Sequence, residues 1–383
     1  MATDPRADRQ DRRPAAPLGF PRSAAELDPR IDPSVLTAIS RIAPGTPLRQ
    51  GIDDIIRARE GALIVIGEPS ELSFMFSGGI RLDQAFTPQL LYELAKMDGA
   101  IIVNTAIGKI AQANVQLMPD PTIPSNETGT RHRTAERVAR QTKALVISIS
   151  QQRETVTVFL GKSRYQLDPI ADVLAKTNQA LATLETYRQR LDHVLTRLTA
   201  LEFQNAVMLD DVLVVLQRAE LTTRMADYIE RACTELGSEG RLIRMQLEEH
   251  VSEVPAEKAA IVYDYHADGG AERVAEGLEA LAQLPYQDLL EFELLAILGY
   301  AATTPLDYAV APRGYRVLTH IPRLPENVIQ RLVGELGGLE GIFRASQRDL
   351  EAVDGVGAVR AREIREGLRR LQEHNLVDRY LQL

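Results

Sequence analysis

The chain is poor in cysteine, since Cys233 is the only one among 383 residues. A single thiol excludes intramolecular disulfides and a zinc site built from several cysteines, and it fits a reducing cytoplasm. No apolar run approaches the roughly 18–20 residues of a membrane span, so no membrane contact is expected. The first two dozen residues lack the apolar core of a signal peptide, and residues 1–25 are predicted to be a disordered tail.

Positive charge is also in deficit, because the formal net charge is −9. This balance does not indicate a general nucleic-acid binder, so any contact with DNA has to be local. Hydrophobic residues make up 45% of the chain, which is enough to form well-packed cores. A chain of this length exceeds what one core usually serves, and two or three domains are expected.

Residues 26–167 alternate strand and helix patterns. Apolar runs predict strands at 62–66, 100–103, 144–149 and 155–160, and helices are predicted at 87–97 and 134–142. Thr87 is suited to cap the first of these helices, and Pro88 fits the first helical position. The pattern predicts one mixed-sheet α/β domain.

Residues 168–312 have little glycine and a helical periodicity. Leu184, Leu191 and Leu198 recur every seven residues, which predicts a helical bundle or spine. A long coiled coil is the less favoured alternative, because the heptad is clean for only about three repeats.

Residues 313–383 contain arginine but no lysine and are predicted to form short helices with tight turns. The segments 318–325 and 350–357 are similar, and each reads as a helix end, a four-residue turn and a new helix. They predict an internally duplicated helix–hairpin–helix domain. The fold class is therefore multidomain, α/β followed by all-α.

A lone acid and a basic cluster carry the chemistry of the N-terminal half. Asp98 precedes Gly99 between the helix 87–97 and the strand 100–103, which taken alone is an ordinary turn. Arg131, His132 and Arg133 then stand together just before the predicted helix 134–142. Arginines at the positive end of a helix create an anion site, and a carboxylate can hold a divalent cation. The combination predicts a site for a metal-bound nucleoside triphosphate.

The glycines of the second hairpin predict a different contact. Gly355 and Gly357 would expose backbone N–H groups to a DNA phosphate, without sequence preference. Arg360 and Arg362 follow on the next helix and add positive charge. The first hairpin offers no glycine at 322–325, so it is expected to be a packing half. A purely structural hairpin remains the alternative.

Five segments in order, 61–67, 76–83, 98–100, 129–133 and 148–150, are similar to the diadenylate cyclase domain. With the helical middle and the C-terminal hairpins, the chain after its tail resembles the bacterial DNA integrity scanning family. The resemblance implies that two ATP molecules are joined into cyclic di-AMP with release of two pyrophosphates, using Mg²⁺ or Mn²⁺. It also implies a homo-octamer with cyclase domains face to face, DNA as a partner, and a cytoplasmic, nucleoid-associated protein.

The resemblance also implies residue roles. Asp98 would bind metal and help activate the ribose 3′-hydroxyl, Gly99 would lie against the nucleotide, and Leu117 would pack on the adenine. Further residues would surround the phosphates and ribose, namely Thr130, Arg131, His132, Arg133, Thr134, Ser150 and Arg153. Gln151 departs from the family, whose members often carry a basic residue there.

Two functions from different classes follow. One is a DNA-regulated diadenylate cyclase, and the other is a non-catalytic DNA-scanning scaffold whose first domain only senses nucleotide. An intact Asp98 beside an intact arginine cluster favours the enzyme, because a sensor has no need of the acid.

Overall fold

The computed structural model describes residues 33–285, 289 and 291–381, so the predicted tail at 1–25 lies outside the described residues. The chain divides into two compact units. Among the described residues, the α/β unit comprises 33–178 and 229–245, and the helical unit comprises 179–228 and those from 246 onward. The domain limits predicted at 167/168 and 312/313 stay predictions.

A mixed sheet forms the α/β unit, as predicted. Its strands are β1 (Ala62–Ile66), β2 (Phe76–Ser77), β3 (Ile80–Ala85), β4 (Ala100–Val103), β5 (Lys109–Leu117), β6 (Leu145–Ile149), β7 (Val156–Leu160) and β8 (Ser163–Gln166). The order is β2-β5-β4-β1-β6-β7-β8, and β3 pairs with β5. β1 and β4 are parallel, whereas β1 and β6 are antiparallel. β5 and the short strands β2, β3 and β8 were not predicted, because they carry polar residues between their apolar ones.

Helices cover both faces of this sheet. They are α1 (Pro33–Arg41), α2 (Pro47–Arg57), α3 (Pro69–Leu72), α4 (Pro88–Ala95) and α5 (Thr130–Thr142). Thr87 accepts a hydrogen bond from the Leu90 amide at 3.1 Å and caps α4 as predicted. Ile64 and Ile147 belong to the core that includes α1, α2 and α4, while Val65 and Val146 pack with α5. Alternate strand residues therefore serve two cores, which explains the unbroken apolar runs.

The start of α5 corrects one prediction. The helix begins at Thr130 and not at Thr134, because Gly129 is extended and its carbonyl accepts from the Arg133 amide at 2.9 Å. The arginine cluster consequently forms the first helical turn and does not precede it. The four-residue error arose because the Thr-Arg-His-Arg run has no apolar periodicity to mark it as helical.

The helical unit and its connections follow the predicted all-α pattern. The helices are α6 (Ile170–Gln204), α7 (Leu209–Leu236), α8 (Arg241–Val251), α9 (Val254–Tyr265), α10 (Ala271–Gln283), α11 (Glu291–Ile297), α12 (Tyr315–Thr319), α13 (Glu326–Leu336), α14 (Leu339–Arg344), α15 (Gln347–Ala352) and α16 (Ala358–Leu381). The limit between the two units falls inside α6, α7 and α8. Leu191 and Leu198 of the heptad are buried in the helical unit. None of these described helices has the length and apolarity needed to cross a bilayer.

The two C-terminal hairpins share a turn geometry. In the α12–α13 turn Arg323 has a left-handed φ of +64°, and in the α15–α16 turn Gly355 has a φ of +87°. Ile321 and Val353, each two residues earlier, are buried in a common core. The matching geometry agrees with the similarity of segments 318–325 and 350–357, although a left-handed arginine stands where the second hairpin has glycine.

A buried polar cluster joins the first hairpin to the rest of the helical unit. Asp264 of α9 accepts from the backbone amides of Tyr315 at 2.7 Å and Arg316 at 2.9 Å. The Arg316 guanidinium pairs with Glu202 of α6 and donates to Thr199 at 2.6 Å. Removing one partner of such a buried pair typically costs about 3–5 kcal/mol, because the other charge is left uncompensated. The start of α12 is therefore fixed on α6 and α9.

This cluster predicts a pH-dependent stability. Burial, with the nearby Glu202, raises the pKa of Asp264 to about 7. The pKa of Asp264 is higher in the folded than in the unfolded chain. The contribution of Asp264 to the free energy of unfolding is therefore complete below the unfolded pKa, and it is lost as pH rises through the folded pKa of about 7. We expect amide hydrogen exchange in α12, corrected for intrinsic rates, to show less protection at pH 7.5 than at pH 5. Asp264→Asn should reduce this difference, and an unchanged pH dependence in that variant would contradict the assignment.

Candidate functional site

Strand register gathers the predicted residues at one edge of the sheet. Leu63 lies opposite Ala100, and Ala62 lies opposite Ile149. The residues before β1 and β4 therefore meet the residue after β6. Ala100 also lies opposite Val115, which brings the end of β5 to the same edge. Asp98, Gly99, Ser150 and Leu117, which are distant in sequence, are neighbours in the fold for this reason.

The Asp98–Gly99 turn has a strict backbone requirement. Gly99 has a φ of +90°, and a Cβ there would lie 2.9 Å from the Asn114 carbonyl carbon and 3.0 Å from the Val115 nitrogen. Only glycine fits this close approach to β5. Asp98 is exposed, and no described residue forms a hydrogen bond or ion pair with its carboxylate. The turn presents a carboxylate that is available to a ligand.

The N-terminus of α5 faces this edge through Arg131. The guanidinium of Arg131 donates to the Ile149 carbonyl, at the end of β6, over 3.4 Å. A Cβ on Gly61 would lie 2.9 Å from Arg131 Cζ, so the buried glycine leaves the space that the guanidinium occupies. No side chain caps α5, and no acid lies in its first turn. Free amides, the helix dipole and Arg131 together form an anion site.

Arg133 has a different environment. Its Nε donates to the Glu127 carbonyl and its Nη2 to the Thr128 carbonyl, each at 3.3 Å. The Glu127 carboxylate is in turn paired with Arg164 at 2.5 Å. Arg133 thus attaches the loop before α5 to the helix, a role that no local sequence pattern indicates. Its predicted binding of phosphate stays a prediction.

His132 packs edge-on against Phe159, with ring centroids 6.5 Å apart. Burial lowers the pKa of His132, and nearby arginines act in the same direction. The imidazole is therefore neutral near pH 7 and is suited to hydrogen bonding more than to charge compensation.

The remaining predicted residues border the same edge. The Ser150 amide donates to the Thr155 carbonyl at 2.9 Å, and the Ser150 hydroxyl accepts from the Arg153 amide at 3.3 Å. This turn leaves the Arg153 side chain exposed.

Leu117 is partly buried beside Phe76, its partner in β2. Thr130 is exposed and Thr134 half-buried in the first turns of α5.

Asp98 is a carboxylate that this edge of the sheet offers to a divalent cation. Among residues 33–285, 289 and 291–381, no group of three or more His, Cys, Asp or Glu side chains could hold a metal. Mg²⁺, however, is commonly held by one or two carboxylates together with substrate phosphates and water. A lone exposed Asp98 beside an anion site fits that arrangement, so the ion would bind together with the nucleotide.

The second hairpin holds the other predicted site. Gly355 and Gly357 are exposed, and Gly357 has open space around it. The Arg360 guanidinium donates to the Gly355 carbonyl, while Arg362 is exposed and bonds to no described residue. Arg331 of α13 also reaches this turn, where it pairs with Asp354. The sequence alone does not indicate Arg331 as part of this site, because Arg331 belongs to the other hairpin.

Two families of known proteins match parts of this chain. A family described as DisA bacterial checkpoint controller nucleotide-binding matches residues 49–163. A second, described as DisA bacterial checkpoint controller linker region, matches residues 167–306. The two matches cover most of the described chain.

Curated relatives extend the similarity to nearly the whole length. The DNA integrity scanning protein DisA of Carboxydothermus hydrogenoformans is 50% identical over 89% of this chain and 98% of its own. The protein of the same name from Bacillus pumilus is 45% identical over 94% and 99%. That from Symbiobacterium thermophilum is 48% identical over 90% and 97%. The chain belongs to the DisA family, and residues 49–163 of its α/β unit match the nucleotide-binding domain of that family, which is a diadenylate cyclase domain.

Proposed function

We propose that the chain condenses two ATP molecules into cyclic di-AMP and two pyrophosphates at the edge of the sheet where Asp98 and Arg131 meet. The observation that carries this proposal is the convergence, through strand register, of an unpartnered carboxylate and an uncapped, arginine-bearing helix N-terminus. Phosphoryl transfer needs such positioning and charge compensation more than it needs covalent chemistry.

The residues divide the work between the two ends of the nucleotide. The triphosphate lies at the α5 amides and Arg131, with Thr130, His132, Thr134, Ser150 and Arg153 around the phosphates and ribose. The adenine packs on Leu117 beside the Gly99 turn. Asp98 faces the ribose 3′-hydroxyl. It is also the residue that would hold Mg²⁺ or Mn²⁺, and the ion would neutralise charge on the leaving pyrophosphate.

The stoichiometry requires two sites. The 3′-oxygen of each ATP forms a bond with the α-phosphorus of the other, the bond from that phosphorus to the pyrophosphate oxygen breaks, and the hydroxyl proton is released. One site holds one nucleotide, so two copies must oppose each other across a twofold axis. A homo-octamer with paired cyclase domains meets this need.

The helical unit supports a second element of the proposal, the binding of branched or damaged DNA. The relatives are named DNA integrity scanning proteins. The exposed Gly355–Gly357 turn and Arg362 supply amide and cationic contacts to a DNA backbone, without base readout. Several copies in one oligomer would favour structured DNA over a single duplex. A cytoplasmic, nucleoid-associated location follows from such a role.

Asp98→Asn tests the catalytic assignment. Because Asp98 bonds to no described residue, the variant should keep the fold and the oligomeric state but lose at least about a hundredfold in cyclic di-AMP formation with Mn²⁺. Glu71→Gln is the matched control, an exposed acid near the opposite end of β1, and should retain activity. Substantial product from Asp98→Asn at saturating metal would remove Asp98 from the reaction.

Gly61→Ala tests the placement of Arg131. A methyl group would occupy the space of the guanidinium and displace it from the Ile149 carbonyl. Losing one charge-assisted contact typically weakens binding about ten- to a hundredfold, which calorimetry with a non-hydrolysable ATP analogue should measure. Gly108→Ala, where a Cβ meets nothing within 4 Å, should bind like the wild type. Equal affinities for both variants would place the phosphates elsewhere.

Gly357→Asp tests the DNA site without removing the module, whose loss would take Arg316 from buried Glu202 and both amide donors from buried Asp264. A side chain at Gly357 has open space, so the carboxylate should repel a DNA phosphate without disturbing the fold. Affinity for a four-way junction should fall about tenfold or more, with cyclase activity unchanged. Gly334→Asp adds the same charge at another open, exposed position of the module. Similar effects of both variants would indicate a diffuse charge effect and no defined site.

A further inference from the structure

Arg331 lies on α13 of the first hairpin, yet its guanidinium is at the turn of the second. Its Nη1 donates to the Asp354 carbonyl at 3.0 Å and also pairs with the Asp354 carboxylate. A Cβ on Gly355 would lie 3.5 Å from the same Nη1. One nitrogen of a residue from the first hairpin therefore borders the exposed glycine turn directly.

The ion pair at this turn is on the surface. The Arg331 side chain is 41% exposed and the Asp354 side chain 83% exposed. Exposed pairs contribute little to stability and exchange partners readily. The carbonyl contact is separate from the ion pair and keeps Nη1 at the turn when the carboxylate leaves.

The two arginines at the Gly355 turn differ in their contacts. Arg360 already donates to the Gly355 carbonyl, which is a main-chain contact. Arg331 also donates to a main-chain carbonyl, but in addition it forms an ion pair with the exposed Asp354 carboxylate. A guanidinium binds carboxylate and phosphate oxygens with the same fork geometry, so a phosphate can take the place of the Asp354 carboxylate.

We propose that Arg331 is a DNA-backbone-binding residue of the second hairpin, and that Asp354 is an internal competitor that occupies its guanidinium while no DNA is bound. This inference rests on the proposed DNA binding at Gly355 and Gly357. A DNA phosphate at the glycine amides displaces the carboxylate and pairs with Arg331, and no base takes part. The two hairpins then form one site, with the first contributing a cation in place of glycine amides.

Asp354 is an acid in a turn that is otherwise suited to binding a DNA phosphate. Asp354 lowers the affinity of each module, because its pair with Arg331 must break before DNA binds. Tight binding then needs several modules on one DNA, which selects branched or multiply contacted DNA over single duplexes.

The test uses the full chain, a fluorescent four-way junction and anisotropy over a series of NaCl concentrations. Arg331→Ala should weaken binding about tenfold or more and lower the salt slope by about one phosphate contact. Asp354→Asn should strengthen binding by about three- to tenfold, because the competitor is gone. The matched controls are Arg344→Ala and Glu340→Gln, which break another exposed arginine–acid pair of the same module and should change affinity less than about twofold.

A double variant separates binding from a structural role. If Asp354 acts through Arg331, Asp354→Asn should lose most of its effect in the Arg331→Ala background. Weaker binding by Asp354→Asn itself, or equal effects of Arg331→Ala and Arg344→Ala, would overturn the inference. Failure of the proposed function looks different, since the wild type would then not bind the junction or Gly357→Asp would bind it normally.

Discussion

The pairing of β1 with a parallel strand on one side and an antiparallel strand on the other determines the candidate nucleotide site. The parallel register with β4 brings the Asp98–Gly99 turn beside the start of β1. The antiparallel register with β6 brings the chain after Ile149 to the same edge. A slip of one residue in either pairing would exchange the two cores and separate the acid from the anion site.

Small residues make this edge usable. Gly99 lets the turn pass close to β5, and Gly61 leaves room for the Arg131 guanidinium. The helix N-terminus supplies fixed amide dipoles, and Arg131 is anchored by a backbone carbonyl before any ligand arrives. Such preorganisation is what stabilisation of a charged transition state requires. The acid and the cation therefore reach their positions through backbone geometry and need no ion pair with each other.

Much of the α/β unit could be predicted, because β1 and β4 are continuous apolar runs and β6 and β7 are apolar apart from Ser148 and Thr157. The N-cap at Thr87 could also be predicted, because a threonine directly before a proline is typical of a helix start. The start of α5 was not, since the polar run at its first turn has no periodicity. The contacts of Arg131 with Ile149 and of Arg331 with Asp354 join residues far apart in sequence, so no local pattern encodes them. The site's residue types could be predicted from the sequence, but the partners of those residues could not.

The helical unit shows the same division between pattern and contact. Its hairpins are legible from repeated segments, whereas the buried pairing of Arg316 with Glu202 and the capping of α12 by Asp264 emerge only in three dimensions. These contacts make the first hairpin a structural part of the unit, which leaves the second hairpin's glycine turn as the exposed element.

A reaction between two nucleotides at this edge of the sheet would be detected most directly through its products. Purified full-length protein would be incubated with ATP and Mn²⁺, with cyclic dinucleotide measured by mass spectrometry and pyrophosphate by a coupled assay. We expect cyclic di-AMP to form, with two pyrophosphates released for each molecule. Protein that binds ATP at the same edge but forms no cyclic di-AMP would contradict this expectation and would identify the unit as a nucleotide sensor.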